Sequence, residues 1–319
     1  MQFTNPLPDD GKRYADPWLI RVGDTYFYCG AGPHSSILIK TSSSPLDILT
    51  KDDHVIWQAP VGTKYSFEVW APELHFLRGH WYVYFAADDG LNDHHRMYVL
   101  LGGRDANDPL AEPYEFVGRL ELDANRWAID GTVLEWHDQL YCIWSGWAGV
   151  ENVAQNLYIQ RLKDPATPIG ERILIAAPTH AWEQRGGSPG TPGGLPYVNE
   201  GPEVLIHNGF LSIIYSASGV WTDDYCLGQL RFIGSDPMDP HAWQKADDPL
   251  FEKTAHVFTP GHCSFITSAS GQDYLVYHAA IHQGAGTMRN IRMQPFTWTA
   301  TGDPVFGQPI TPGIPVAFT

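Results

Sequence analysis

The sequence has few charged residues, few cysteines and no long apolar run. Of its 319 residues, 18% are charged and 43% are apolar, which excludes a chain kept disordered by charge and low hydrophobicity. The four cysteines lie far apart without a Cys-x-x-Cys pair, so neither a zinc ribbon nor a dense disulfide framework is indicated, and we expect buried thiols. No apolar run approaches the ~20 residues that span a bilayer.

Positive charge is also scarce. The chain has 20 basic and 36 acidic residues, giving a formal charge of −16, which argues against nucleic acid or an anionic membrane as a partner. The first residues lack the apolar core of a signal peptide, and no Asn-x-Ser/Thr sequon occurs, so we expect a cytoplasmic location. The alternative is a secreted protein whose signal has been removed.

Several catalytic motifs are missing as well. The chain has no Gly-x-Ser-x-Gly elbow, no His-Glu-x-x-His, no P-loop and no Gly-x-Gly-x-x-Gly fingerprint, so the chemistries that depend on them have no support. We expect no organic cofactor.

The abundant residues are glycine, proline and aromatics, with 31 Gly, 25 Pro and 13% aromatic residues. This mixture is typical of many short strands joined by turns, with helix limited to one short turn near 43–53. Five segments share one plan, an apolar strand, a tight turn and a β-rich aromatic strand. They start at Asp16, Ala71, Asp130, Glu200 and Gly261, so the starts are 55, 59, 70 and 61 residues apart.

The turns within these segments favour β-hairpins. They are Gly23-Asp24, Arg78-Gly79, His137-Asp138, Asn208-Gly209 and Ser270-Gly271. A hairpin repeated every ~60 residues predicts an all-β, five-bladed β-propeller with four-stranded antiparallel blades, formed by residues 1–319 as a single domain. A β-sandwich does not predict five similar hairpins. We expect the Pro- and Gly-rich C-terminal tail to close the ring against the N-terminus.

In a propeller, the first strand of each blade lines the central channel, so the five segment starts converge. Three of them are carboxylates, Asp16, Asp130 and Glu200. Converging carboxylates shift one another's pKa and destabilise the fold unless they are used or bind a cation. Each one taken alone could instead cap a turn.

Ordered blocks along the whole chain resemble glycoside hydrolase family 43. The blocks are Ala15-Asp16-Pro17-Trp18, Trp70-Ala71-Pro72-Glu73, Ala128-Ile129-Asp130-Gly131, Val198-Asn199-Glu200-Gly201-Pro202 and Pro260-Gly261-His262-Cys263-Ser264-Phe265, with further similarity over 215–230 and 289–298. The resemblance implies a five-bladed propeller that hydrolyses arabinose- or xylose-containing plant polysaccharides with inversion at the anomeric carbon.

The resemblance implies a role for each carboxylate. Asp16 resembles the general base, Glu200 the general acid, and Asp130 the carboxylate that orients the acid and tunes its pKa. An inverting glycosidase needs two carboxyl groups ~6.5–9.5 Å apart. Residues on different blades can meet that spacing, whereas neighbours on one strand cannot.

Four further residues are candidates. Trp70 would offer an apolar face to a sugar, or pack within a blade. Arg292 resembles the arginine that points at the sugar and the carboxylates, with a surface salt bridge as the alternative. Trp147 would shape the pocket rim, or lie in the core. His262 occupies the position that, in the family, reaches a channel ion, often calcium, whose shell would need water because calcium prefers oxygen.

The sequence thus predicts an inverting, exo-acting α-L-arabinofuranosidase that acts on arabinan or arabinoxylan oligosaccharides. A β-xylosidase is the alternative within the class, an endo-arabinanase is less favoured, and a non-catalytic carbohydrate-binding propeller is the alternative from another class. Residues 183–197, rich in glycine and proline, are either an exposed connection or a wall of the pocket beside Glu200.

Overall fold

The computed structural model of the protein describes residues 1–186 and 194–319. The segment 183–197 is therefore described only in part, since residues 187–193 lie outside this range. The described residues contain no α-helix, and short 3-10 turns lie at Ile48–Thr50, Asn92–His94, Asp123–Asn125, Ala181–Glu183 and Pro240–Ala242. The first of these turns confirms the prediction for 43–53. Within the described ranges, no helix is long and apolar enough to cross a membrane.

The chain is all-β, and its main strands form five successive antiparallel sheets. Sheet 1 contains β2 (Trp18–Val22), β3 (Thr25–Gly32), β4 (Ser36–Ser42) and β5 (His54–Gln58). Sheet 2 contains β6 (Phe67–Leu77), β7 (His80–Asp88), β8 (Arg96–Leu101) and β9 (Glu115–Arg119). Sheet 3 contains β10 (Ala128–Trp136), β11 (Gln139–Trp147), β12 (Ala154–Asp164) and β13 (Thr167–Ala176).

The remaining strands complete this pattern. Sheet 4 contains β14 (Tyr197–His207), β15 (Phe210–Ala217), β16 (Cys226–Phe232) and β17 (Trp243–Lys245), and sheet 5 contains β18 (Gly261–Thr267), β19 (Asp273–Ala280) and β20 (Arg289–Pro295). The short strands are β1 (Gln2–Phe3), β21 (Thr297–Trp298), β22 (Pro304–Val305) and β23 (Val316–Ala317). Two parallel residue pairs between β12 and β14 also join sheets 3 and 4.

The predicted hairpins are confirmed. In each sheet the first two strands pair in antiparallel register across the expected turn. We call this side of the sheets the turn end; its connections are 23–24, 78–79, 137–138, 208–209 and 268–272. The opposite side, where the second and third strands connect, is the loop end, with connections 33–35, 89–95, 148–153, 218–225 and 281–288.

Sheet 5 has three strands, which corrects the expectation of four strands in every blade. The N-terminal segment covers the outer edge of β20 instead. Asn5 Nδ2 donates to the carbonyl of Met293, the Met293 N–H donates to Asn5 Oδ1, and the Leu7 N–H donates to the carbonyl of Ile291. The edge strand thereby has its polar backbone groups satisfied without a fourth strand. As predicted for the tail, β23 pairs with β1.

Apolar side chains fill the space between neighbouring sheets. Sheet 1 packs on sheet 2, sheet 2 on sheet 3, sheet 3 on sheet 4, sheet 4 on sheet 5, and sheet 5 on sheet 1. Each fully buried large side chain contributes about 1.5–3 kcal/mol of transfer free energy. The four cysteines are free and buried, as predicted.

The first strands lie side by side. β2 contacts β6, β6 contacts β10, β10 contacts β14, β14 contacts β18, and β18 contacts β2. This cycle brings one end of five sequence-distant strands to a common place, and the candidate functional residues lie there.

Candidate active site

A residue with positive φ recurs at the loop end of all five first-strand segments. These residues are Asp16 (φ 48°), Ala71 (φ 42°), Asp130 (φ 53°), Gly201 (φ 51°) and His262 (φ 43°). In sheets 2 to 5 the pairing register shifts at this point, as in a β-bulge. Bulges bend a strand and redirect its side chains, and left-handed backbone is costly for residues other than glycine. Four of the five positions hold residues other than glycine, a concentration typical of strain held at a functional centre.

The bulges show that the segment starts predicted from the sequence are displaced by one residue in sheets 4 and 5. The equivalents of Asp16 and Asp130 are Gly201 and His262, rather than Glu200 and Gly261. Glu200 therefore approaches the site from the position before the bulge. The irregular backbone, which strand alternation does not reveal, brings Asp16, Asp130 and Glu200 together.

The three carboxylates line one cavity of about 460 Å³ at the loop end. Loop residues from sheets 2 to 5 complete its wall. The other lining residues are Glu68, Trp70, Asn92, Trp127, Ile129, Asn152, Gln155, Val220, Trp221, His262, Thr287 and Arg289. Of these, only Trp70 and His262 are candidates predicted from the sequence.

Asp16 is surrounded by groups that favour its ionised form. Its Oδ1 accepts from Arg289 Nη1 at 2.8 Å and lies 3.2 Å from His278 Nδ1 and 3.3 Å from His262 Nδ1. Burial alone would raise the pKa of Asp16, but Arg289 and the two histidines lower it far below its ordinary value. Burial and Arg289 also lower the pKa of His278 to about 3, so Arg289 is the permanent cation of this cluster.

Glu200 has the opposite tendency. Burial raises the pKa of Glu200 to about 7, and the charge of Asp16 adds to the rise, while Tyr225 and Arg289 act against it. Tyr225 Oη donates to Glu200 Oε1 at 2.8 Å. A carboxyl group with a pKa near neutrality can hold a proton at neutral pH and deliver it.

Asp130 is the most deeply buried of the three, with 4% of its surface exposed. Its Oδ2 accepts from the Gly201 N–H at 3.0 Å, which ties it to the residue that follows Glu200. Burial, together with the carboxylates of Glu200 and Asp16, raises the pKa of Asp130 well above its ordinary value. The site thus holds carboxyl groups whose pKa values are driven apart, the pattern expected of an acid and a base.

Trp70 lies where the sequence analysis placed it, on the pocket wall. Its indole stacks on His95, with ring centroids 3.9 Å apart, and Trp70 Nε1 donates to Glu68 Oε2 at 2.9 Å. His95 Nε2 also lies 3.1 Å from the Glu68 carbonyl. The indole is therefore held from behind, and its free face is available to a flat apolar ligand surface.

Trp147 does not line the pocket, which corrects that expectation. Its side chain is buried and stacks on Trp127 at 4.9 Å between centroids. Trp127 is the residue that reaches the cavity. Trp147 ends β11, and its ring packs in the core between sheets 2 and 3.

The arginine of the pocket is Arg289 rather than Arg292, a second correction. Arg292 is 2% exposed and donates to Asn290 Oδ1 and the Ala280 carbonyl. Strand β20 starts at Arg289 at the loop end, so Arg292 lies about 10 Å farther along the strand. The start of β20 at Arg289 is the signal that could have shown which of the two arginines lies at the pocket.

His262 reaches the pocket, with its Nδ1 facing Asp16 rather than open space. Burial lowers its pKa, so it is neutral near pH 7. The described residues contain no group of three or more His, Cys, Asp or Glu arranged to hold a metal ion.

Comparison with known proteins agrees with this geometry. The family described as glycosyl hydrolases family 43 matches residues 3–304. An extracellular exo-α-(1→5)-L-arabinofuranosidase of Streptomyces avermitilis is 32% identical over 99% of the chain and 66% of its own length. A protein of the same name from Streptomyces chartreusis is 31% identical over 87% of the chain and 82% of its own length. The chain thus spans slightly less than two thirds of the S. avermitilis protein.

Among solved structures, an α-L-arabinofuranosidase from Lactobacillus brevis superposes with a TM-score of 0.85 at 30% identity, covering 98% of each chain. The names of the two Streptomyces relatives contradict one expectation. Both are called extracellular, so the cytoplasmic location expected from the N-terminal sequence is wrong. A signal peptide is read from a short terminal stretch, which carries no information about the fold or the site.

Proposed function

Because this chain belongs to glycosyl hydrolase family 43, we propose that it is an exo-acting α-L-arabinofuranosidase that releases arabinose from arabinan or arabinoxylan oligosaccharides. The observation that carries the proposal is the pocket in which Asp16, Asp130 and Glu200 meet. Asp16 is held ionised by Arg289, whereas burial raises the pKa of Glu200 to about 7, so that Glu200 keeps its proton up to about that pH. A carbohydrate-binding module would gain nothing from opposed protonation states in one cavity.

In the proposed reaction, Asp16 holds a water molecule and takes its proton as the oxygen attacks the anomeric carbon. Glu200 gives its proton to the leaving glycosidic oxygen as the C–O bond breaks. Attack by water on the face opposite the leaving group inverts the anomeric centre. Asp130 orients Glu200 through the Gly201 N–H, and the two carboxyl groups lie close enough that, after burial, Glu200 raises the pKa of Asp130.

The proposed architecture is a five-bladed propeller formed by residues 1–319 as one domain. Two observations support it. The first strands contact one another in a closed cycle, and each sheet packs on the next, with sheet 5 returning to sheet 1. The antiparallel pairing of β1 with β23 joins the two chain termini near the contact between sheets 5 and 1.

The proposal uses no metal ion. Calcium prefers six to eight oxygen ligands, whereas His262 offers nitrogen only, and its Nδ1 already faces Asp16 at 3.3 Å. The donor set of the described residues therefore does not fit a calcium ion held by side chains, and no step of the reaction is routed through one.

The proposal also includes the location of the protein. Because the two Streptomyces relatives are named extracellular, we propose that this protein acts outside the cell.

The test is a substrate panel of 1,5-arabino-oligosaccharides, arabinoxylan, xylobiose, and 4-nitrophenyl arabinofuranoside and xyloside. We expect release of single arabinose units from chain ends, with little action on the xylosides. Proton NMR of the first product formed should show the inverted anomer. Products larger than a monosaccharide would overturn exo action, a preference for xylosides would overturn the substrate, and initial retention would remove Asp16 from the role of base.

A further inference from the structure

We propose that Tyr225 is a positioning residue for the acid, fixing Glu200 so that one carboxyl oxygen faces the leaving group. The inference rests on the proposed function and deepens it. Tyr225 lies in the connection between β15 and β16 and does not line the cavity. It falls within the stretch 215–230 that resembles the family, but the resemblance assigns it no role.

The contact between the two side chains is short and dry. Tyr225 is fully buried, and its hydroxyl donates to Glu200 Oε1 at 2.8 Å. A phenol can donate one proton, so Oε1 is committed as an acceptor. The transferable proton of Glu200 must then lie on Oε2. The tyrosine thus determines which of the two carboxyl oxygens acts as the acid.

Two close neighbours restrict the ring of Tyr225. It stacks on His278, with centroids 5.5 Å apart and planes at 12°, and His278 in turn contacts Asp16. A Cβ added to Gly261 would lie 2.4 Å from the Tyr225 ring. Only glycine at this position leaves room for the ring. The acid and the base are therefore held by one rigid stack of side chains.

The same hydrogen bond assists proton transfer. As Glu200 protonates the glycosidic oxygen, the C–O bond breaks and a negative charge develops on the carboxylate. The Tyr225 hydroxyl already points at that charge and becomes a charge-assisted donor. Because it stabilises the ionised form, it opposes the rise in the pKa of Glu200 that burial causes.

The test is Tyr225→Phe, assayed on an arabino-oligosaccharide and on 4-nitrophenyl arabinofuranoside. The sugar leaving group needs a full proton, whereas nitrophenolate needs little. We expect kcat on the oligosaccharide to fall about 10–100-fold, the size of a lost hydrogen bond to a charged group, with KM and the nitrophenyl rate changed much less. The alkaline limb of kcat/KM should move to higher pH, because the pKa of Glu200 rises without its donor.

Two further variants complete the design. Gly261→Ala keeps the hydroxyl but displaces the ring, and we expect the same dependence on the leaving group. Tyr277→Phe is the matched control, because Tyr277 is equally buried and its hydroxyl bonds Gln294 at 3.3 Å, away from the pocket; it should leave both rates and the pH profile unchanged.

The outcomes separate the two proposals. Equal losses on both substrates in Tyr225→Phe, or an unshifted alkaline limb with the wild-type rates intact, would overturn the positioning role while leaving the arabinofuranosidase proposal standing. A wild-type protein inactive on every substrate of the panel would overturn both.

Discussion

The turn end and the loop end of the sheets are built by different rules. At the turn end, four of the five connections contain two residues each: 23–24, 78–79, 137–138 and 208–209. At the loop end, four connections contain six to eight residues: 89–95, 148–153, 218–225 and 281–288. The structure of the turn end follows from local backbone chemistry. The loop end forms a candidate site only because segments distant in sequence meet there.

Surface chemistry separates the two ends as well. Large apolar residues stand exposed in the loop-end connections, including Leu91, Val150, Ile281 and Met288. The turn-end connections contain only glycine, one alanine and polar or charged residues, and Arg78 forms an ion pair with Glu135 at 2.8 Å. All three catalytic carboxylates of the proposed mechanism lie at the loop end. Substitutions there should change the reaction, and substitutions at the turn end should change stability alone.

The largest contrast is expected between Glu200→Gln and Glu135→Gln. The first keeps the shape of the acid and its contact with Tyr225 but removes the transferable proton, so kcat/KM on oligosaccharides should fall by about 10²–10⁴-fold. The second loses one exposed ion pair, worth about 0–1 kcal/mol, and should keep full activity. Comparable losses in the two variants, measured by arabinose release, would remove the distinction between the ends.

The next contrast concerns the two arginines of β20. In Arg289→Met the permanent cation beside Asp16 is lost, so the pKa of Asp16 rises. Asp16 acts only when ionised, and activity is lost as the pH falls through its pKa. The acidic limb of kcat/KM should therefore move to higher pH, and the rate should drop about 10–100-fold.

Arg292→Met is the control for this change, because Arg292 bonds Asn290 and Ala280 and does not contact Asp16. It should lower the melting temperature and leave the pH profile in place. A shifted profile in Arg292→Met, with none in Arg289→Met, would restore the assignment made from the sequence.

A smaller effect is expected at the two tryptophans. Trp70→Ala removes the free indole face on the pocket wall, and we expect KM to rise about 5–20-fold with a small change in stability. Trp147→Ala empties a buried site and should cost about 3–5 kcal/mol of unfolding free energy. Steady-state kinetics and denaturant unfolding of both variants would separate the effect on KM from the effect on unfolding free energy. A normal KM in Trp70→Ala would show that the sugar does not rest on this ring.

The smallest effect is expected at glycine positions with positive φ. Gly209, at φ 82° in a turn-end hairpin, has no atom near an added Cβ. Gly209→Ala should therefore cost about 1 kcal/mol of unfolding free energy through backbone strain alone, with unchanged kcat/KM.

Gly201→Ala is the loop-end partner of that variant. At φ 51°, its new Cβ would lie 3.2 Å from the His262 ring. It should show a similar loss of stability together with reduced kcat. Full activity in Gly201→Ala would mean that the bulge tolerates movement without consequence for the acid.

The sequence predicted much of the fold, for reasons that lie in short stretches of chain. Asn208-Gly209 and Arg78-Gly79 adopt positive φ in two-residue turns as expected, because turn chemistry depends on adjacent residues. At the fifth hairpin the predicted Ser270-Gly271 turn is part of a five-residue connection, 268–272. The missing fourth strand of sheet 5 could not be predicted, since residues from the opposite end of the chain cover that edge.

The candidate site was predicted unevenly. Asp16, Asp130, Glu200, Trp70 and His262 all line the pocket, and each belongs to a recognisable block near the start of a first strand. Arg289, Trp127 and Tyr225 escaped detection. Their importance depends on which side of a strand or loop faces the cavity, and that choice is made by the neighbouring sheet.

By itself, the sequence determined five β-hairpins, the residue types of the proposed acid and base, and the lack of four other catalytic motifs, because these properties depend on local patterns. Only the tertiary structure decided which arginine reaches Asp16, that Glu200 and Asp130 are buried enough to raise their pKa values, and that the Tyr225 hydroxyl donates to Glu200. The burial of these side chains and the proximity of their charges depend on contacts between segments tens to hundreds of residues apart, and these contacts form only when the sheets pack.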